Sequence, residues 1–351
     1  MDSDAQKTQA IRAEIISIGR SIKERYPFLR HRNVIGISFF LSSIVMILGM
    51  MILYVNGYVS ALAAVLWIAF WTSILHELEH DLIHYMYFKK NLFLHNIMLL
   101  GVWLFRPLTI NPWYRRLLHF HHHKYSGTQS DIEERGVTNG MKWGGFRLLV
   151  MPDLLLANTA NISAMRKAIR QSYKDGRLSK SELINLRKAL FFGFLPFGIP
   201  LYMMWYSFIL LQVFSYIITN YMELSSVSTI WIENYLALIH PIIVLIILPN
   251  LLRQYCLHFI TSNMHYYGDV ESGNIYQQTQ VLNAWWTWPF QLFCFNFGST
   301  HSIHHFVVDE PFYFRQLTAS AAHLVFRKYA VRFNDLGTFA RANRYSEDAL
   351  V

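Results

Sequence analysis

Four short stretches of the sequence place histidines at spacings that can gather a metal. "HELEH" sets His76 and His80 four residues apart, on one face of a helix. "HFHHH" sets His119, His122 and His123 at i, i+3 and i+4, and "HSIHH" repeats that spacing with His301, His304 and His305. "NMHYYGD" adds His265. A single HxxHH is commonplace on a solvated helix. Two of them in one chain, with an HxxxH and an HYYG, are not. Neutral imidazole ligates zinc, copper, iron and nickel. Nine such ligands exceed the needs of one tetrahedral zinc, and they suit two six-coordinate irons sharing open positions for oxygen.

The chain has sixteen histidines, and the other seven read differently. His121 lies two positions from His119, so on a helix it points away from the ligand face. His84 extends the first stripe to HxxxHxxxH and reads as a solvated helix end or a residue behind the ligands. His258 precedes His265 by seven and shares its face if that helix continues. His31, His95, His240 and His323 fall outside any ligand spacing. A metal-bound histidine passes its second N–H to a carboxylate or carbonyl. Asp131 and Asp269, close behind the second box and the HYYG segment, are the expected partners, whereas Glu133 and Glu134 read as solvated surface. Arg115, Arg116 and Lys124 suit a carboxylate or phosphopantetheine head group, though a basic membrane-flanking segment explains them equally.

The surrounding elements are those of a membrane protein. Of 351 residues, 53% are hydrophobic and 15% charged. Val34–Val55 carries no charge and spans roughly 33 Å as a helix, enough to cross a bilayer. Val59–Leu75, Ala189–Thr219 and a run around Ile239–Leu252 supply three more spans, with bends expected at Pro196 and Pro200 and at Pro241 and Pro249. Leu92–Phe105 is apolar but short, roughly 21 Å, and reads as re-entrant or interfacial. The fold class is therefore all-α integral membrane protein: about four transmembrane helices, this re-entrant segment, and a cytoplasmic helical cap carrying the histidine boxes. One domain is expected over 1–351, with an N-terminal amphipathic segment (1–33), a membrane and histidine-box core (34–310) and a C-terminal segment (311–351).

Charge gives the orientation. Residues 1–33 hold seven Lys and Arg, 86–188 hold seventeen and 253–351 hold seven, while the short connections near 56–58 and 220–230 hold none. Both termini and the histidines are thus expected on the cytoplasmic side. The net charge of +9 reads as topology and attraction to anionic lipid, not nucleic-acid binding. No cleavable signal is expected, because the first apolar run starts late and is too long. Only Cys256 and Cys294 are present, with no CxxC or haem-attachment motif. Electrons for oxygen chemistry must therefore come from elsewhere.

The boxes in order, over residues 60 to 310 or so, resemble the membrane-bound fatty acid desaturase and hydroxylase superfamily of non-haem di-iron enzymes. That resemblance implies two Fe ions as cofactor and O2 as co-substrate. It also implies attack on an unactivated C–H bond of a fatty acyl or alkyl lipid, and a separate electron donor such as ferredoxin, rubredoxin or cytochrome b5 with its reductase. "HELEHD" looks like the first box of bacterial alkane hydroxylases and "HYYG" like their HYG motif, while HFHHH has the HxxHH spacing of desaturases. The chain is also similar to bacterial enzymes that decarboxylate fatty acids to 1-alkenes. Fatty acid desaturation is the expected outcome, with terminal hydroxylation and decarboxylation as alternatives. A metal transporter would instead place its ligands at the bilayer midplane in broken helices, and a non-catalytic lipid-binding relative need not keep nine ligands.

Overall fold

The computed structural model describes residues 3–221 and 226–348. These are helix and loop, with two isolated β-bridges, His265 to Thr279 and Val281 to Phe333. In chain order the helices are α1 (Asp4–Arg25), α2 (Arg32–Val55), α3 (Ala61–Ile83), α4 (Leu92–Phe105), α5 (Pro112–Tyr125), α6 (Ile132–Gly136), α7 (Gly145–Val150) and α8 (Leu154–Lys174). They continue with α9 (Lys180–Phe192), α10 (Gly198–Tyr221), α11 (Ser226–Ile242), α12 (Leu248–Met264), α13 (Ile275–Gln278), α14 (Trp288–Phe293), α15 (Phe297–Phe306) and α16 (Phe312–Lys328). Four stretches are long and apolar enough to cross a membrane: Arg32–Val55, Ala61–Ile83, Gly198–Ile217 and Ile230–Met264.

The spans show which solvent they are built for. α2 buries Gly36, Phe40, Ser43 and Ile47, at helical spacing, and leaves Val34, Leu41, Val45, Ile52 and Val55 exposed. An apolar surface of that size belongs against lipid. α3 starts the same way, with Leu62 and Leu66 exposed, but every residue from Thr72 to Ile83 is buried. Its C-terminal half is therefore enclosed by protein, and the charged and histidine residues lie there.

The fourth span is longer than the apolar run suggests. α11 and α12 are joined through a π-helical stretch, Ile243–Ile247, which begins just after Pro241 inside α11. Proline lacks the N–H of the regular ladder, and a wider turn absorbs the defect. Pro249 stands in the first turn of α12. The third span starts later than expected. Pro196 lies in the connection between α9 and α10, and Pro200 lies in the first turn of α10, where no N–H partner is needed. The expected bend inside one helix is replaced by a break between two. Of the expected connection near 220–230, residues 222–225 lie outside the described residues.

α4 keeps both ends beside the enclosed half of α3. Near its start, His95 Nε2 accepts from Arg116 (2.8 Å), whose Nε donates to Ile83 O (3.1 Å). Just past its end, Arg106 bonds Glu79 and His76 Nδ1. Its outer stripe, Phe93, Ile97, Leu100 and Leu104, is exposed, as suits a helix lying at a lipid boundary. The N-terminal α1 packs on α16, and Arg12 Nε donates to Phe306 O at the end of α15 (2.9 Å).

Gly36 sets the approach of α2 to the loop after α3. A Cβ there would fall 2.5 Å from Cδ1 of Tyr87, and Tyr87 is fixed because its hydroxyl donates to Asp81 Oδ2 (2.8 Å). Gly36→Val is expected to lower stability by about 1–3 kcal/mol through overpacking. Gly49→Val, with nothing within 4 Å of its Cβ, should be near neutral. Thermal unfolding in detergent compares the two.

Candidate metal centre

Four elements bring the histidines together. The end of α3 supplies His80 and His84, α5 supplies His119, His122 and His123, α15 supplies His301, His304 and His305, and His265 caps the end of α12. Asn111 and Pro112 start α5: Asn111 Oδ1 accepts from Trp113 N (3.0 Å), and proline fills a position whose N–H has no helical partner. A glycine-to-glycine bond then ties two boxes together. Gly268 N, in HYYG, donates to Gly127 O, just after the second box (2.7 Å). Both glycines have positive φ, +96° and +76°, a conformation that favours glycine.

The ring nitrogens fall into two groups. In the first, His80, His84, His119, His123 and His304 each bring a nitrogen within 4.8 Å of the others. The Nε2 atoms of His84 and His123 lie 3.0–3.2 Å from each other and from those of His119 and His304. The second group is His122, His265 and His305. His265 Nε2 lies 3.3 Å from His305 Nε2, and His301 Nε2 lies 3.2 Å from the same atom. The groups adjoin, with the His122 and His123 rings 5.7 Å apart.

The outward-facing nitrogens explain what the inward ones are for. His119 Nδ1 bonds Glu133 Oε2 (2.8 Å), His122 Nδ1 bonds Asp131 Oδ2 (2.8 Å), His265 Nδ1 bonds Thr261 O (2.9 Å) and His305 Nδ1 bonds Gln278 Oε1 (3.0 Å). Each such partner accepts the Nδ1 proton and leaves an Nε2 lone pair facing inward. Several lone pairs about 3 Å apart repel one another unless a cation sits among them. The donor set therefore fits metal ions, and the hydrogen bonds at the outer nitrogens fix tautomer and ring direction. Burial keeps most of these rings neutral: it pushes His84 down to about 2, aided by neighbouring His119, and His265 down to about 4. His122 is the exception: burial opposes its charge, but Asp131 outweighs burial and raises the imidazole to about 10, so with no cation nearby its Nε2 carries a proton where a metal ion would bind. Burial pushes Glu134 up to about 8.

The placement differs from the sequence expectation at several residues. His84 stands inside the first group, because the α3 stripe continues into its C-cap. His76 lies outside both groups, its Nδ1 accepting from Arg106 Nη2 (3.1 Å), and His301 belongs with them only through His305. Asp131 reaches His122, but Asp269 does not reach a histidine. It accepts from Tyr345 N and Ser346 N instead, pinning the C-terminal segment. Glu133, expected at the solvated surface, holds His119. His121 points away to Ser130 O (2.9 Å) and His258 to Met151 O (2.7 Å).

Buried charges back the centre. Arg315 Nη2 donates to Glu77 Oε2 (3.0 Å) and Asp81 Oδ1 (3.4 Å), joining α16 to α3. Glu79 receives both Arg106 and Arg115. A cavity beside the histidines is lined by apolar Leu118, Ile132, Leu154, Met165 and Leu257 on one hand and by Arg106, Arg115, Arg253, Glu133 and Glu134 on the other. A sequence profile of the fatty acid desaturase family matches residues 56–337, and the chain belongs to that family. No curated protein and no solved structure matches it. The chain is a membrane protein of this family, with two histidine groups that suit a di-iron centre.

Replacing His84 should strip iron as strongly as replacing His304, whereas His121→Ala should keep it. Asp131→Asn should weaken iron retention by roughly 10–100-fold. Elemental analysis of the purified variants decides; full iron in His84→Ala would remove it from the ligand set.

Proposed function

We propose that the protein is an O2-dependent oxidoreductase that desaturates a fatty acyl chain. The observation that carries this reading is the convergence of two imidazole groups beside a cavity lined in part by Leu118, Ile132, Leu154, Met165 and Leu257, within a chain of the fatty acid desaturase family. Two irons held by these histidines would supply the oxidant for an unactivated C–H bond. The protein's own part is positional. Asp131, Glu133, Gln278 and Thr261 hold the Nδ1 protons outward, the apolar wall excludes water and aligns methylenes, and the ion pairs on α3 keep the ligand helices in register. Small displacements of the chain change which hydrogen is reached, so the wall sets the outcome. The HxxHH spacing of two boxes favours desaturation over terminal hydroxylation or decarboxylation.

The same reading places the histidines and both termini on the cytoplasmic side, supported by the basic segments that flank the spans. It also requires an external one-electron donor, because both cysteines are buried and isolated. An acidic ferredoxin, rubredoxin or cytochrome b5 suits a chain of net charge +9.

Two outcomes check the reading. Purified protein given a perdeuterated fatty acid substrate, O2 and a reduced donor should return a product with the same carbon number and two fewer deuteriums. A product one carbon shorter, or one carrying labelled oxygen from O2, would overturn desaturation. Turnover should need the donor protein as well as NAD(P)H, and its donor-concentration dependence should weaken as salt rises. Sustained turnover with NAD(P)H alone would remove the donor from the scheme.

A further inference from the structure

Three arginines border the cavity, and only two have anionic partners. Arg106 and Arg115 both engage Glu79, and Arg115 also approaches Glu133 (3.5 Å). Arg253, on α12, is 1% exposed and makes no ion pair among the described residues. Its Nη2 donates to Gln254 Oε1 (3.2 Å), while its Nε has no hydrogen-bond partner. The amide nitrogen of Gln254 is also buried and without a partner. Both side chains line the cavity that reaches His76, His80 and His301. Two adjacent buried residues in the lining thus hold unspent donors, one of them cationic, whereas the other charged residues there, Arg106, Arg115, Glu133 and Glu134, have partners. An unpaired buried guanidinium is strongly unfavourable, and its natural complement is a planar carboxylate bound through two parallel N–H bonds.

The other basic candidates are committed elsewhere. Arg115 is held by two glutamates, and Arg116 donates to Ile83 O, Leu82 O, the Tyr85 hydroxyl and His95 Nε2. Lys124 is exposed and does not line the cavity. We propose that Arg253, with Gln254 beside it, receives the carboxylate of a free fatty acid inside this cavity. A thioester has no charge at its carbonyl and would leave the guanidinium unpaired, so the acid itself is the substrate form that fits. This inference rests on the lipid-chain reading and adds the head group to it.

The test is binding, not turnover. The full-length protein in detergent is titrated calorimetrically with dodecanoic acid and with 1-dodecanol at pH 8. The wild type should bind the acid tighter than the alcohol by roughly tenfold or more. Arg253→Gln should lose that preference while still binding the alcohol, which shows that the cavity is intact, and Arg253→Lys should restore part of it. An unchanged acid-to-alcohol ratio in Arg253→Gln would overturn the anchor alone. Failure of the wild type to bind either ligand would overturn the anchor and the lipid-chain reading together.

Discussion

Everything at the centre depends on where the second imidazole proton goes. At His119, His122, His265 and His305 an acceptor outside holds the Nδ1 hydrogen and so fixes which nitrogen faces inward. Asp131 does this for His122 and Glu133 for His119. Asp131 has three tasks at once: its Oδ1 accepts from Glu134 N at the start of α6, and its Oδ2 accepts both the His122 ring and Gly127 N (3.1 Å). The cap of a short helix, the turn after the second box and a ligand tautomer thus share one carboxylate. Truncating it disturbs all three, so its effect exceeds that of an ordinary cap, about 1 kcal/mol.

Behind that layer lies a second, ionic one. Glu77, Glu79 and Asp81 sit on the enclosed end of a membrane-type helix, where lone charges are prohibitive. Glu77 and Asp81 share Arg315 from α16, and Glu79 takes both Arg106 from the end of α4 and Arg115 from α5. Removing one member of such a buried pair costs about 3–5 kcal/mol. These contacts select one arrangement of α3, α5 and α16 and thereby set where α15 brings its histidines. The amide of Phe312 and the Tyr87 hydroxyl, both donating to Asp81 Oδ2 (2.8 Å each), complete that carboxylate.

Much of this was legible because two periodicities are strong. An uncharged run of helical length has few alternatives, which is why α2 and α3 are readable from composition, and HxxHH fixes which rings share a face. What escaped was long-range. The HxxxHxxxH stripe contained His84, but only the approach of α5 and α15 distinguishes a ligand-group member from a solvated helix end. Asp131 and Asp269 look alike in sequence, each a few residues past a histidine. A left-handed glycine turn brings one back to its ring, while the other is drawn to the C-terminal backbone. Pro196 looked like a kink because hydropathy runs on through it from α9 into α10.

The cavity wall explains why substrate preference is harder still to read. Its apolar residues come mostly from α5, α6 and α8, through Leu118, Ile132, Leu154 and Met165, and only Leu257 among these lies on a membrane-type helix. The central segment is basic and mean hydropathy does not single it out, because each helix there has one buried face and one charged face. The spans therefore provide the lipid-facing scaffold, and the cap provides the surface that a chain would touch. Changes on the buried faces of α5, α6 and α8 can reshape the cavity without disturbing the spans. Related chains can then share boxes and topology while treating different carbons, since Ile132, Leu154 and Met165 lie on helices that carry no ligand histidine.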